Sequence, residues 1–139
     1  MMRAAIVNRP LDVTALLAEV ASDAHGATTL FVGTVRNVNS GRAVSGIEYS
    51  AYDAMATVEL QRILDETALR FTDVSVVVEH RVGTLALQEA SVIIATAHAH
   101  RAPALDAQRY VIEELKKRVP VWKREHYIDG TREWVGAAS

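Results

Sequence analysis

The sequence predicts an α+β domain with three helices and a mixed or largely antiparallel sheet. Three observations predict it. Runs of β-branched residues alternate along the chain with segments whose apolar residues recur at helical spacing. Gly, Pro or Asp/Asn punctuates most of the boundaries. The 139 residues show no repeat, linker or low-complexity tract, which suits a single domain over 1–139 with one substantial core.

The elements follow in order. "RAAIVN" (3–8) reads as a short strand, and Pro10 then precedes a helix capped by Asp12, with Leu16, Leu17 and Val20 on its inner stripe and Gly26 just past its end. "ATTLFVGTVR" (27–36) is rich in β-branched residues and reads as a strand. Residues 37–43 read as a loop by composition, and 44–52 as a further strand. Asp53 can cap a second helix running to about Phe71, with Leu60, Ile63, Leu64, Thr67 and Phe71 in register. Two strands, 74–83 and 90–100, flank the turn-like "GTLALQEA". The third helix spans about 102–118, with Ala104, Ala107, Val111 and Leu115 on one face. Pro103 fits its first turn, and Pro120 ends it. Finally, "VWKREHYI" and "REWV" flank Asp129-Gly130, a favoured hairpin turn. The expected total is six or seven strands.

Composition excludes several classes of function. Half of the residues are apolar and 23% are charged, as in soluble globular proteins. No cysteine is present, which removes disulfides, zinc-thiolate sites, iron–sulfur clusters and cysteine nucleophiles. The N-terminal residues do not form a signal peptide, and no apolar run approaches the roughly 20 residues of a membrane span. A cytoplasmic protein is therefore expected, with no membrane partner. The formal net charge of -2 argues against bulk binding to nucleic acid, so any anion site is local.

One local concentration of charge stands out. "LKKRVPVWKRE" (115–125) holds Lys116, Lys117, Arg118, Lys123 and Arg124 around the apolar plug Val119-Pro120-Val121-Trp122. Two explanations are open. Cations in the last turn of a helix complement its dipole, and lysine on an edge strand discourages aggregation. Alternatively, a rigid turn focuses Lys116 and Lys123 on one concave spot that suits an anionic ligand or a lysine of lowered pKa. In this second reading burial of Trp122 points Lys123 to the opposite face of the strand. His98, His100 and Arg101 end a strand and enter the third helix, where a helix N-terminus offers a natural anion site. His98 reads better as a packed strand residue, and two histidines without an obvious third ligand make a poor metal site. Arg36 stands at a strand end before a polar loop, where a surface role is also open. Walker, GxGxxG, GxSxG and HExxH motifs do not occur.

Taken together, "FVGTVRNVNSG" (31–41), "IEYSAYDAMA" (47–56), "AHAHRAP" (97–103) and "LKKRVPVWKRE" resemble the large, catalytic subunit of molybdopterin synthase, over roughly residues 4–135. The resemblance implies an α/β hammerhead-type domain that forms a homodimer within a heterotetramer. It implies a small ubiquitin-like sulfur-carrier subunit whose tail ends in a Gly-Gly thiocarboxylate. It also implies transfer of two sulfurs to cyclic pyranopterin monophosphate, with no metal or other cofactor at this step. Carried over by position, the catalytic lysines are Lys116 and Lys123, and the phosphate-binding residues are Arg36, His100 and Arg101. Lys116 is then expected beside the carrier's terminal carbonyl as an acid/base or charge stabiliser, with Lys123 polarising or binding the pterin. The chain ends in "GAAS" and so is not the carrier. Two departures bear on the pocket: Val38 stands where many relatives have histidine, and the tail after Trp134 is short. The rival readings are a non-catalytic phospholigand- or RNA-binding homodimeric module and a structural homodimer; the former would want exposed aromatics, whereas Trp122 is expected to be buried.

Overall fold

The computed structural model describes residues 1–137. Its elements are β1 (Met2–Val7), α1 (Val13–Val20), β2 (Ala27–Thr34), β3 (Val38–Asn39), β4 (Arg42–Ala51), α2 (Asp53–Arg70), β5 (Ser75–Arg81), β6 (Gly83–Ala86), β7 (Ala90–His98), α3 (Arg101–Arg118), β8 (Val121–Tyr127) and β9 (Arg132–Ala137). The α+β class and the three helices agree with the sequence-based expectation.

The strands form two sheets. The first has the order β1-β5-β7-β2. It is mixed, because β1 runs parallel to β5 while β5–β7 and β7–β2 are antiparallel. Side chains alternate across this sheet and sort into two cores. Val76, Val78, Val92 and Ile94 face Leu60, Ile63 and Leu64 of α2 and Val111 and Leu115 of α3. Val77, Ile93, Ala95 and Ala97 face Leu16 and Val20 of α1. Both faces of the central strands are thus buried, which explains their nearly continuous apolar sequence. The second sheet is antiparallel in the order β3-β4-β8-β9, with β6 also paired to β4. Val35, Val44, Ile47, Leu85 and Tyr127 form its small core.

Several local expectations are corrected. The chain has nine strands within residues 1–137, because 37–43 includes β3 and turns back through Ser40 and Gly41 in the left-handed region. The segment expected as a turn at 83–90 contains β6, which pairs with β4. Helix α1 is capped by Asp12, whose carboxylate accepts from the Ala15 N–H at 3.1 Å, but it stops at Val20. Gly26 is therefore not its terminator: a Cβ there would lie 2.7 Å from the Ala99 carbonyl oxygen, so close approach of two backbones requires glycine. Asp53 is the first residue of α2 rather than its cap, which is Tyr52. Trp122 is 41% exposed, whereas Val121 is 1% exposed. Strand parity thus places Val121 inward and Trp122 outward, the reverse of the expectation.

Leu60→Ala, at a fully buried position, should lower unfolding free energy by about 2–5 kcal/mol. Leu69→Ala, on the same helix but 86% exposed, should stay within about 0.5 kcal/mol of wild type. Urea denaturation of the two variants checks this contrast.

Candidate active site

The C-terminal end of α3, the ends of β2 and β5, and the inner face of the second sheet enclose a cavity of about 220 Å³. Pro120 determines how α3 and β8 meet there. It cannot extend the helix, and Val119 in front of it adopts extended geometry. The chain reverses between two buried anchors, Val119 and Val121. Strand β8 then alternates, placing Val121, Lys123, Glu125 and Tyr127 on the inner side. Lys116, from the last turn of α3, and Lys123 both line the cavity, and so does Arg36.

The five cations of this stretch divide into two groups. Arg118 donates to Glu59 at 2.8 Å, Glu66 at 2.6 Å and Glu114 at 3.2 Å, tying α3 to α2. Lys117 pairs with Glu114 at 3.4 Å. Arg124 donates to Glu48 at 2.6 Å and lies over the ring of Trp134. These three are structural, but through ion pairs rather than a helix dipole or a sheet edge, since β8 lies between β4 and β9. Lys116 and Lys123 make no ion pair among the described residues. Partial burial, and then the neighbouring charge of Lys123, hold the Lys116 pKa below the ordinary lysine range, with Glu113 opposing. Lys116 stands at the edge of the cavity and is still exposed by surface area, so solvent moderates this effect.

A hydrogen-bonded chain fixes the opposite wall. Asn39 Nδ2 donates to both carboxylate oxygens of Glu125, at 2.9 and 2.8 Å. The Tyr127 hydroxyl donates to Glu125 Oε1 at 3.0 Å, and Arg36 donates to Asn39 Oδ1 at 3.3 Å. Glu125 is 2% exposed. Its charge is thus satisfied by neutral donors and left facing a cavity rich in cations. Val38, the departure noted in this loop, is 44% exposed and does not line the cavity; the loop contributes through Arg36 and Asn39 instead.

Not every candidate residue reaches this cavity. His100 and Arg101, at the start of α3, line a separate depression with Gly26, Ala27 and Ala99. Fifteen residues of helix separate Arg101 from Lys116, about 22 Å at the α-helical rise. The chain therefore does not bring its own His100 and Arg101 to its own lysines. His98 uses both ring nitrogens locally: Nδ1 accepts from the His100 N–H and Nε2 donates to the Thr72 carbonyl, each at 3.0 Å. Among the described residues no group of three His, Asp or Glu side chains can hold a metal.

The family model described as "MoaE protein" matches residues 6–118. The chain belongs to the MoaE family. A molybdopterin synthase catalytic subunit from Culex quinquefasciatus is 46% identical over 121 residues, covering 86% of this chain and 77% of that protein. The crystal structure of molybdopterin synthase from Staphylococcus aureus superposes with a TM-score of 0.90 at 32% identity, covering 95% of this chain and 96% of the other. A complex of subunits 1 and 2 of molybdopterin-converting factor from Helicobacter pylori superposes with a TM-score of 0.80 at 22% identity, over 98% and 92% of the two chains, and supports the fold.

The cavity residues that escaped the sequence reading include Asn39, Tyr49, His80 and Glu125. A signal for His80 exists in the period-2 row Val76-Val78-His80 of "VVVEHR", whose first two members face the main core. Likewise, Glu125 shares the inward parity of Lys123.

His80 is 3% exposed, and burial pushes its pKa down to about 4, with the charge of Lys116 acting in the same direction and the Arg81 carbonyl opposing. The unfolded chain takes up a proton near pH 6.5 that the folded chain refuses. Stability from this residue should therefore be complete above 6.5 and fall as pH drops toward 4, by up to roughly 3 kcal/mol. Glu19, Glu48, Glu89 and Glu114 are each held below the ordinary carboxylate value, chiefly by hydrogen bonds to Arg3, Arg124, the Ala86 N–H and Arg118 respectively. Their contributions persist above about pH 4.5 and are lost only below it. Denaturant titrations between pH 7 and 4.5 should show a falling stability whose slope is reduced by about one proton in His80→Gln.

Proposed function

We propose that the cavity between α3 and β8 is where sulfur is transferred, with Lys116 and Lys123 as its catalytic groups. The chain is a catalytic subunit of molybdopterin synthase, a sulfurtransferase acting in molybdenum cofactor biosynthesis. The observation that carries the site assignment is that only these two of the five clustered cations lack a carboxylate partner among the described residues and line the cavity. Unpaired ammonium groups in a partly desolvated space favour the meeting of two anions, here a thiocarboxylate and a phosphorylated substrate. The Lys116 pKa is lowered by burial first and by Lys123 second, which makes its ammonium a readier proton donor than an ordinary lysine. Lys123, held by a strand rather than a helix end, suits binding and polarising the acceptor.

In this reading the donor is a small ubiquitin-like carrier whose Gly-Gly thiocarboxylate tail enters the cavity, and the acceptor is cyclic pyranopterin monophosphate. Two carriers in turn supply the two sulfurs of the dithiolene. The Helicobacter pylori protein of the same fold is one of two subunits in a complex, which is in keeping with a partner subunit here. Arg36 binds the phosphate from the mouth of the cavity. His100 and Arg101 join it only if a second copy delivers the start of its α3, so the proposed assembly is a homodimer carrying one carrier per protomer. In this reading the reaction runs in the cytoplasm, a reducing compartment that protects a thiocarboxylate sulfur from oxidation.

Lys116→Ala and Lys123→Ala should each reduce sulfur transfer by about 10²–10³-fold while remaining folded, the usual scale for loss of a preorganised charge. Lys117→Ala should retain activity. Near wild-type turnover in both cavity variants would contradict the assignment. Mixing inactive Lys116→Ala with inactive Arg101→Ala subunits should restore activity if a site draws on two protomers, because hybrid dimers contain one intact site. No restoration would return Arg101 to a structural role.

A further inference from the structure

His80 lies in the cavity wall and has no part in the transfer scheme above. It ends the inward row of β5 and is 3% exposed. Its Nδ1 lies 3.0 Å from the Arg81 carbonyl oxygen. A carbonyl oxygen only accepts, so Nδ1 carries the proton and Nε2 presents a lone pair. The ring packs edge-on against Tyr49, with centroids 5.4 Å apart and planes at 68°, which limits its rotation. Nε2 makes no hydrogen bond among the described residues, yet it is not one of the polar atoms sealed from solvent. The residue lines the same cavity as Lys116 and Lys123.

The charged groups that line the cavity are less suited to the role of this lone pair, because three are cations and most acceptor positions of the fourth are taken. Arg36, Lys116 and Lys123 are donors when charged. The Glu125 carboxylate already receives Asn39 and Tyr127. A ligand whose anionic end meets the cations still needs an acceptor for its own N–H groups, and a dry, unmet donor weakens binding. We propose that His80 Nε2 is that acceptor: it receives a hydrogen bond from an N–H of the substrate's heterocycle and so orients the ring against Lys116 and Lys123. The inference rests on the reading of the cavity as the pterin site. Neutrality is part of the design, since a charged imidazole would lose the lone pair and add a further cation beside Lys116. Burial and Lys116 both favour the neutral ring.

Substitution and spectroscopy together test this. His80→Asn keeps a donor near the Nδ1 position and loses the group at Nε2; His80→Gln restores an oxygen acceptor near Nε2. Titrated with cyclic pyranopterin monophosphate, His80→Asn should bind roughly five- to tenfold more weakly than wild type, the scale of one hydrogen bond. His80→Gln should recover most of the loss, and inorganic phosphate should bind all three proteins alike. In wild-type protein labelled with ¹⁵N-histidine, Nε2 of His80 should be unprotonated from pH 8 to 5.5. Its signal should move on adding the pterin but not on adding phosphate. This second measurement decides the matter if His80→Asn does not fold. The proposal is overturned by a proton on Nε2, by no response to saturating pterin, by equal losses in both variants, or by a parallel loss of phosphate binding. Wild-type affinity and turnover in His80→Asn would sink this inference and leave the transfer site standing. Failure of the wild type to bind the pterin or transfer sulfur would sink both.

Discussion

Pro120 cannot continue a helix, and the geometry of the cavity depends on that restriction. Without a break, Lys116 and Lys123 would lie two turns apart along a single helix, roughly 10 Å along its axis. With it, the chain folds back between buried Val119 and Val121, and a helical residue and a strand residue line one cavity. The backbone around the break is held from outside as well: the Tyr52 N–H donates to the Pro120 carbonyl at 3.4 Å, and β8 pairs with β4 from Val121 to Tyr127. The lysines are positioned by main-chain structure and core packing, so their charges need no carboxylates to hold them.

That separation of tasks governs the electrostatics. Arg118 spends its hydrogen bonds on three glutamates and joins α3 to α2, so the helix end that carries Lys116 is anchored by a neighbour two residues away. Arg124 does the same for β8 through Glu48. Among the described residues Glu125 is the one carboxylate that lines the cavity, where Asn39 and Tyr127 hold it. The result is a cavity whose positive charges line the open space and whose negative charge is fixed to the wall. A slightly acidic protein can thus bind anions locally, because the charges that balance its lysines are placed elsewhere.

The fold and the site were legible to different degrees, for physical reasons. Helices α2 and α3 were readable because their buried residues recur at fixed spacing within one segment, as in Leu60-Ile63-Leu64-Thr67 and Ala104-Ala107-Val111-Leu115. Strands β3 and β6 were not, because two- and four-residue strands are defined by their pairing to β4 rather than by their own composition. Trp122 shows the limit of residue type as a guide. Tryptophan suggests burial, but with Val121 inward the pleat turns Trp122 out. The exposed aromatics Trp122 and Trp134 also remove one argument offered against a nucleic-acid role, and family membership takes its place. In the cavity, Arg36, Lys116 and Lys123 were visible as charges in distinctive motifs. Asn39 and His80 were not, since their importance arises from contacts between segments 86 residues apart, as for Asn39 with Glu125, or from strand parity at the end of an apolar run.

The central claim is that two unpaired lysines share one partly desolvated space. The pKa of Lys116, followed by NMR in ¹³C-lysine-labelled wild-type protein and in Lys123→Ala, tests it most directly. The account predicts a value below the ordinary lysine range in the wild type, from burial first and Lys123 second, and a partial rise when Lys123 is removed. An ordinary value that ignores the loss of Lys123 would show that the two ammonium groups do not share a site.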